Sequence, residues 1–466
     1  MKRIAILQFP GINSEYETKR AVDDAGMEGV IFRWNESPVE LAAFDGFIVP
    51  GGFAYEDRGR AGLIASLDSI MDVIRSEVAK GKPLLGICNG AQIVVETCMV
   101  PGDGKLELCL ANNKRIKDGE IVGTGFINFD VTLRATASPG RCAFNIGIES
   151  DSLHYAPIAH GEGRFTTTNL ETLSRIENND QIIFKYCDAN GEVVDNYPIN
   201  PNGAFKNAAA ICNEAGNVMA IMPHPERAFS APIPEVFTSM RTYLEEYYDK
   251  GKAMIPETAT THKSDYSRLT LAPFHNRTSH FEILVDLIIT DNTAETFTNT
   301  LNLMGFEVST KRQTHYTVFY DESSKNSPLE MATLLISSGE LLNTNKEFAR
   351  VKIGEKTYQF NPNSGEIDEL FTPLHKGVLQ LYSKDREDFF GQSKTEKIQK
   401  HLVGKNPKCS GFKFVVQGVL WTVDYLDSTI PEDHDANIDA LLKTNIFANP
   451  HSQELLKYSG KNLFTS

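Results

Sequence analysis

Three clusters of residues have the types and spacing to break an amide bond. The first is Gly86-Ile87-Cys88-Asn89-Gly90-Ala91-Gln92. An apolar run ends at a cysteine with a glycine two places to either side, and a helical pattern begins at once. Glycines there permit a tight strand-to-helix turn that lifts the sulfur out of a sheet, the thiol form of a nucleophile elbow. The helix N-terminus favours thiolate over thiol. A free thiol titrates at about 8.5, so a partner is needed at neutral pH. The second cluster, Met222-Pro223-His224-Pro225-Glu226-Arg227, can supply one. His224 can take the thiol proton and return it to a leaving amine. Glu226 can hold the other ring nitrogen and stabilise the imidazolium. The third cluster is Val49-Pro50-Gly51-Gly52-Phe53. A tetrahedral oxyanion needs two preset donors, and the backbone N–H groups of Gly52 and Asn89 fit that role. The ordinary fate of a cysteine is to be buried and inert. That is the reading for Cys98, Cys109, Cys142, Cys187, Cys212 and Cys409. Cys88 differs by its elbow and its histidine.

These residues must be carried by strand ends. Ile4 to Phe9, Gly29 to Trp34, Gly46 to Pro50 and Pro83 to Cys88 read as strands. Helical patterns lie between and after them, at Ser14 to Ala25, at about Ala61 to Lys80 and at Asn89 to Met99. This alternation predicts a flavodoxin-like parallel sheet with helices on both faces. Ligands in such folds sit beyond the carboxyl ends of the strands, where both glycine-rich turns fall. From Leu106 to Pro223 the strands shorten, and a last helix spans about Pro234 to Asp249.

Beyond Lys250 the pattern resets. A Lys-, Thr- and Ser-rich stretch reads as a linker. After it, two strand-helix-strand-helix segments follow one another, as an internal repeat would. Their second helices end alike, Leu341-Leu342-Asn343-Thr344-Asn345 and Leu441-Leu442-Lys443-Thr444-Asn445. The predicted boundaries are a catalytic domain at 1–250, linkers at 251–278 and 356–374, and modules at 279–355 and 375–466.

The 466 residues carry 61 acidic and 46 basic side chains, a formal net charge of −15. That balance argues against sequence-independent nucleic-acid binding, which needs a basic surface, and against docking on an anionic membrane. No apolar run reaches a membrane span. The N-terminus turns polar too soon for a signal peptide. Seven scattered cysteines without CxxC pairs suggest a reducing, cytoplasmic setting and no metal site. The histidines of the second half, His280, His315, His375 and His434, show no ligand spacing.

The three chemical clusters resemble class I glutamine amidotransferases. Further stretches narrow the likeness to the glutaminase subunit of phosphoribosylformylglycinamidine synthase (PurQ type). These are Phe9-Pro10-Gly11-Ile12-Asn13, Arg60-Ala61-Gly62, Pro157 to Arg164, and Asn200-Pro201-Asn202-Gly203. The resemblance covers about residues 1 to 250. It implies a triad of Cys88, His224 and Glu226, with Gly51, Gln92, His160 and Glu162 lining the L-glutamine site. It also implies a large ATP- and Mg²⁺-dependent synthetase subunit (PurL type) as partner, with no cofactor in this chain. The sequence has no Gly-x-x-x-x-Gly-Lys phosphate loop that would bind ATP itself. One departure stands out in Ala54-Tyr55-Glu56-Asp57-Arg58-Gly59. Glu56 replaces the family's usual glycine, and Arg58-Gly59 its usual apolar pair. The segments after residue 278 resemble the small bridging subunit of the same synthase (PurS type), two α+β copies in tandem. A pseudo-dimer within one chain is then expected. A glutaminase serving another synthetase, or a non-catalytic scaffold retaining the fold, are the competing readings.

Overall fold

The run Ile4-Ala5-Ile6-Leu7 is at most 1% exposed and forms the first strand, β1 (Arg3–Gln8). It is apolar on both faces because helices cover both sides of the sheet at this point. The computed structural model describes residues 1–102, 104–227, 234–255, 272–274, 280–323, 327–354, 356–360, 367–370, 378–425 and 434–458. The chain divides into two compact units, Met1–Ser267 and Arg268–Ser466.

In the first unit β1 is followed by α1 (Glu15–Asp24), β2 (Glu28–Arg33), β3 (Gly46–Val49), α2 (Leu63–Ser66), α3 (Ser69–Val78), β4 (Leu84–Ile87) and α4 (Asn89–Glu96). Strands β6 (Lys114–Lys117) and β7 (Glu120–Thr124) form a small hairpin, and β5 (Cys109–Ala111) pairs antiparallel with Arg164–Thr166 further along. Then come β8 (Ile127–Ala135), β9 (Leu153–His160), β10 (Arg164–Thr166), α5 (Leu170–Asn178) and β11 (Ile182–Cys187). The unit closes with β12 (Ala208–Cys212), β13 (Val218–Ile221) and α6 (Pro234–Thr242). The main sheet has nine strands in the order β2-β1-β3-β4-β13-β12-β11-β8-β9.

The expected parallel sheet is therefore only half of the observed one. Pairing is parallel from β2 to β13. It is antiparallel from β13 to β9. The reason is visible in β8, where Ile127, Val131, Leu133 and Ala135 are buried and their neighbours are not. A strand that alternates in this way has one covered face, as antiparallel strands do.

The expected continuous helix from about Ala61 to Lys80 is two helices. Asp68 leaves the helical conformation (φ −70°, ψ 138°) and its side chain accepts the Ile70 N–H at 3.0 Å, capping α3. Aspartate at this position satisfies a donor that an unbroken helix would have bonded to its own backbone. The last helix is also shorter than expected, because Tyr243–Tyr248 winds as a π-helix. Tyr243 is anchored there, donating its hydroxyl to the Gly81 carbonyl at 2.7 Å.

The second unit is built from β14 (Ala272–Pro273), β15 (His280–Leu287), α7 (Asn292–Leu303), β16 (Val308–Tyr320), α8 (Pro328–Ser337) and β17 (Glu347–Ile353). After these come β18 (Lys356–Phe360), β19 (Ile367–Leu370), β20 (Val378–Asp385), α9 (Phe389–Ile398), β21 (Phe412–Tyr425), α10 (His434–Leu442) and β22 (Gln453–Lys457). The same β-α-β-α-β order thus occurs twice, β15 to β17 and β20 to β22. In each copy the first strand lies between the other two and antiparallel to both. Strands β16 and β21 pair antiparallel along their lengths and join the copies into one nine-stranded sheet.

Both spans read as linkers carry strands among their described residues. In 356–374, β18 buries Thr357 and Phe360 and extends the sheet beyond β17, with β19 outside it. In 251–278, β14 pairs in parallel with β22. Residues 256–271 and 275–279, and with them most of that span, lie outside the described residues, as does His375.

Candidate active site

Cys88 lies between β4 and α4 with φ 51° and ψ −106°, a conformation that L-residues seldom adopt. Strain of this kind persists where the surroundings enforce it. They do so here through Gly90. A β-carbon on Gly90 would fall 1.9 Å from the Val49 carbonyl oxygen, so only glycine lets α4 start against β3. The thiol is 4% exposed and its Sγ lies 3.5 Å from the Ala159 carbonyl oxygen on β9.

His224 follows β13 and is fixed to the far side of the sheet, its N–H donating to the Pro157 carbonyl of β9 at 2.9 Å. Its Nδ1 is 2.7 Å from Glu226 Oε1, and the Glu226 side chain is fully buried. Nε2 is buried and has no hydrogen-bond partner among the described residues. Burial opposes the imidazolium, but the negative charges of Glu226 and of Cys88 outweigh it and push the pKa up to about 10. The turn that carries Glu226 is pinned to α1: Arg227 donates to Glu17 at 2.7 Å and to the Ser14 hydroxyl at 2.6 Å.

The turn after β3 brings Gly51 against the histidine. A β-carbon at Gly51 would lie 2.6 Å from His224 Cε1. Gly52 has φ +154°, and a β-carbon there would meet Ile12 Cα at 2.6 Å. Neither the Gly52 nor the Asn89 N–H donates to a backbone carbonyl in any turn or loop among the described residues. Three successive residues after this turn, Tyr55, Glu56 and Asp57, all have positive φ (51°, 57° and 52°). Each such residue costs on the order of 1–2 kcal/mol relative to the right-handed form. Burial, partly offset by a hydrogen bond from Asn89, pushes the Asp57 carboxyl up to about 6.

Of the residues expected to line the glutamine site, Gln92 and Glu162 already have their side chains engaged by the protein. Gln92 donates to the Glu162 carbonyl at 2.6 Å and accepts from Asn89 at 2.8 Å. Glu162 accepts the Ala61 N–H at 3.0 Å, tying Arg60-Ala61-Gly62 to the loop after β9. Arg60 in turn forms a buried bidentate pair with Glu96 of α4 at 2.8 and 2.6 Å. His160 is 2% exposed, and burial followed by the charge of His224 lowers its pKa to about 3. It is therefore neutral, with Nδ1 at 3.2 Å from Asn113 and a buried, unpartnered Nε2.

Sequence reasoning missed Asn113. This residue accepts the Gly163 N–H at 3.0 Å and donates to the His160 carbonyl at 2.7 Å, so it shapes the whole loop from 160 to 163. It also missed the network role of Asp57, which accepts from Asn89 Nδ2 at 3.0 Å. In the second unit His315 is fully buried against Glu282 at 2.8 Å, a core position. No grouping of three or more metal-ligating side chains occurs among the described residues. No helix among them is long and apolar enough to cross a membrane.

A cysteine on a strained elbow, a buried histidine–carboxylate pair and a glycine turn thus meet at the strand ends of the first unit. Residues 1–255 match the CobB/CobQ-like glutamine amidotransferase domain family, and the chain belongs to that family of enzymes. Within it the chain falls among the PurQ subunits. The subunit PurQ of phosphoribosylformylglycinamidine synthase from Methanothrix thermoacetophila is 45% identical over 259 residues, which are 52% of this chain and 98% of that protein. The PurQ subunit of Thermomicrobium roseum is 36% identical over 228 residues, 49% of this chain and 88% of its own. A solved structure titled PurLQS from Thermotoga maritima aligns over 52% of this chain and 99% of the matched chain, with 27% identity and a TM-score of 0.41.

Proposed function

We propose that this chain is the glutaminase component of phosphoribosylformylglycinamidine synthase and acts through Cys88, His224 and Glu226. The Cys88 thiolate attacks the side-chain amide carbon of L-glutamine. The N–H groups of Gly52 and Asn89 receive the charge that develops on the amide oxygen. Imidazolium His224 protonates the nitrogen as the C–N bond breaks, and ammonia leaves a γ-glutamyl thioester. Neutral His224 then takes a proton from water, hydroxide adds to the thioester, and glutamate departs as the thiolate is restored. Glu226 holds the ring in one tautomer and supports its charge. Ammonia passes to a separate ATP- and Mg²⁺-dependent synthetase subunit of the PurL type, which aminates formylglycinamide ribonucleotide in purine biosynthesis. This chain needs no cofactor of its own for the hydrolysis. The reading places it in the cytoplasm, in keeping with its seven free cysteines.

The observation that carries this reading is a His224–Glu226 pair, 2.7 Å apart, following β13 beside the end of β4 that delivers Cys88. Replacing Cys88 by alanine is expected to abolish glutamine hydrolysis while leaving the fold intact. Near-normal ammonia release from folded Cys88→Ala protein would sink the assignment. The second unit, in this reading, is a tandem of PurS-like modules that forms an internal pseudo-dimer and bridges the glutaminase to the synthetase. The doubled β-α-β-α-β order and the β16–β21 pairing support it. Glutamine-dependent amidination by the reconstituted complex tests both halves. The bridging role falls if a chain cut after the first unit supports amidination as well as the whole chain does.

A further inference from the structure

Resting on the glutaminase reading, we propose that Asp57 is a positioning residue of the oxyanion hole, acting through the Asn89 side chain to align the Gly52 and Asn89 donors. Asn89 is 1% exposed and spans two elements. Its own N–H is one donor, at the start of α4. Its side-chain Oδ1 accepts the Ala54 N–H at 2.8 Å, two residues beyond Gly52, the other donor. One side chain therefore sets the spacing of both donors.

The orientation of that amide is not free. Asn89 Nδ2 donates to Asp57 Oδ1 at 3.0 Å and to Gln92 Oε1 at 2.8 Å. Turning the amide over would set Nδ2 against the Ala54 N–H and Oδ1 against two acceptor oxygens. Gln92 is itself oriented by its bond to the Glu162 carbonyl at 2.6 Å. Asp57 supplies the charged acceptor, and such bonds are roughly twice as strong as neutral ones.

The loop bearing Asp57 does not hold its shape alone. Tyr55, Glu56 and Asp57 all sit in the left-handed region. Backbone bonds run along it, from the Phe53 N–H to the Gly11 carbonyl at 2.9 Å, the Tyr55 N–H to the Pro10 carbonyl at 2.7 Å, the Glu56 N–H to the Phe53 carbonyl at 2.9 Å and the Arg58 N–H to the Tyr55 carbonyl at 3.2 Å. The bond from Asn89 Nδ2 to Asp57 adds a side-chain tie between this loop and the start of α4. Removing the Asp57 carboxylate takes away one of the two acceptors that orient the Asn89 amide, so the common aim of the two donors loosens. The sulfur and the His224–Glu226 pair are untouched.

The test uses the full chain, alone and with its synthetase subunit, as parent, Asp57→Ala and Asp57→Asn. Glutamine hydrolysis is measured beside two Cys88 reagents. A glutamine-derived chloromethyl ketone reacts through a tetrahedral oxyanion, whereas iodoacetamide is attacked directly and forms none. In Asp57→Ala, kcat and the chloromethyl ketone rate are expected to fall roughly tenfold to a hundredfold, with KM and the iodoacetamide rate held. Asp57→Asn keeps an acceptor oxygen and is expected to recover part of the loss. Parent-like kcat and chloromethyl ketone rates in Asp57→Ala would overturn the inference. So would an equal fall in the iodoacetamide rate, which would mark a general collapse of the site. A parent chain inert to glutamine and to the chloromethyl ketone would overturn the glutaminase reading, and this inference with it.

Discussion

His224 is buried beside Glu226 and Cys88, and that placement fixes the pH range in which it can act. Burial alone would lower its pKa, yet Glu226 and Cys88 push it up to about 10. The shift is upward from an ordinary value of about 6.5. Its stabilising contribution is therefore complete below about 6.5 and is lost as pH rises through about 10. A proton is available for the leaving nitrogen across neutral pH. Single-turnover acylation is expected to be level through that range and to decline as pH passes about 10. Glu226→Gln removes the largest of the raising charges, so the alkaline limb should move to lower pH. Turnover should fall on the order of 10²-fold to 10⁴-fold, as when other triads lose their carboxylate. A pH–rate profile with an unmoved limb would count against the pair as drawn. The three residues proposed as a triad stand out in the sequence because each carries its own local signature. Asn113 and Asp57 do not. Each works on a partner far along the chain, His160 at a separation of 47 residues and Asn89 at 32, and no local spacing announces it.

Element packing explains why the elbow requires glycine at position 90. Helix α4 begins against β3, and a β-carbon on Gly90 would overlap the Val49 carbonyl at 1.9 Å. The obstacle is backbone, which cannot swing aside as a side chain can. In Gly90→Ala the helix must shift, carrying with it the Asn89 N–H. The expected destabilisation is about 3 kcal/mol or more, the upper end of overpacking costs. Denaturant unfolding read on the first unit should show a lower midpoint, with turnover lost beside it. A parent-like midpoint and rate would contradict the helix–strand approach described here. The parallel half of the sheet was legible because β1, β3 and β4 are buried on both faces and read as apolar runs. In the antiparallel half β8, β11 and β12 were legible as short strands, but their direction of pairing was not, nor was β9, which includes Pro157. The break at Asp68 escaped because the apolar spacing runs on through Ile64, Ile70, Met71 and Ile74, all buried. The period of burial survives a break that a single capping side chain creates.

At the scale of the whole molecule, the second unit joins its two copies by polar as well as apolar contacts. Phe297 of α7 stacks on Trp421 of β21 at 4.2 Å, a contact of one copy with the other. On strands of the first copy, Glu282, His315 and Lys352 form a buried charge cluster, at 4%, 0% and 7% exposure. Tyr458, which follows β22 of the second copy, donates its hydroxyl to Glu282, and Lys352 donates to the same hydroxyl at 3.1 Å. Burial works against the Glu282 carboxylate. Hydrogen bonds from His280 and His315, with the charges of His315 and Lys352, overcome it and hold the pKa well below the usual carboxylate range. A depressed carboxylate adds stability above its unfolded pKa, about 4.3, and the contribution is lost as pH falls through the folded value. Glu282→Gln leaves Lys352 buried opposite a neutral amide. Breaking one side of a buried pair typically costs about 3–5 kcal/mol. The readout is Trp421, 3% exposed, in a Trp34→Phe background that silences the other tryptophan of the chain. The midpoint of its denaturant transition is expected to drop in Glu282→Gln and to lose much of its acid sensitivity. Replacing both partners, Glu282→Leu with Lys352→Met, should recover a large part of the loss, because apolar groups of similar volume leave no charge unpaired. If Glu282→Gln unfolds at the parent midpoint at neutral pH, the cluster contributes nothing to the union of the two copies, and the apolar packing and the β16–β21 pairing carry it.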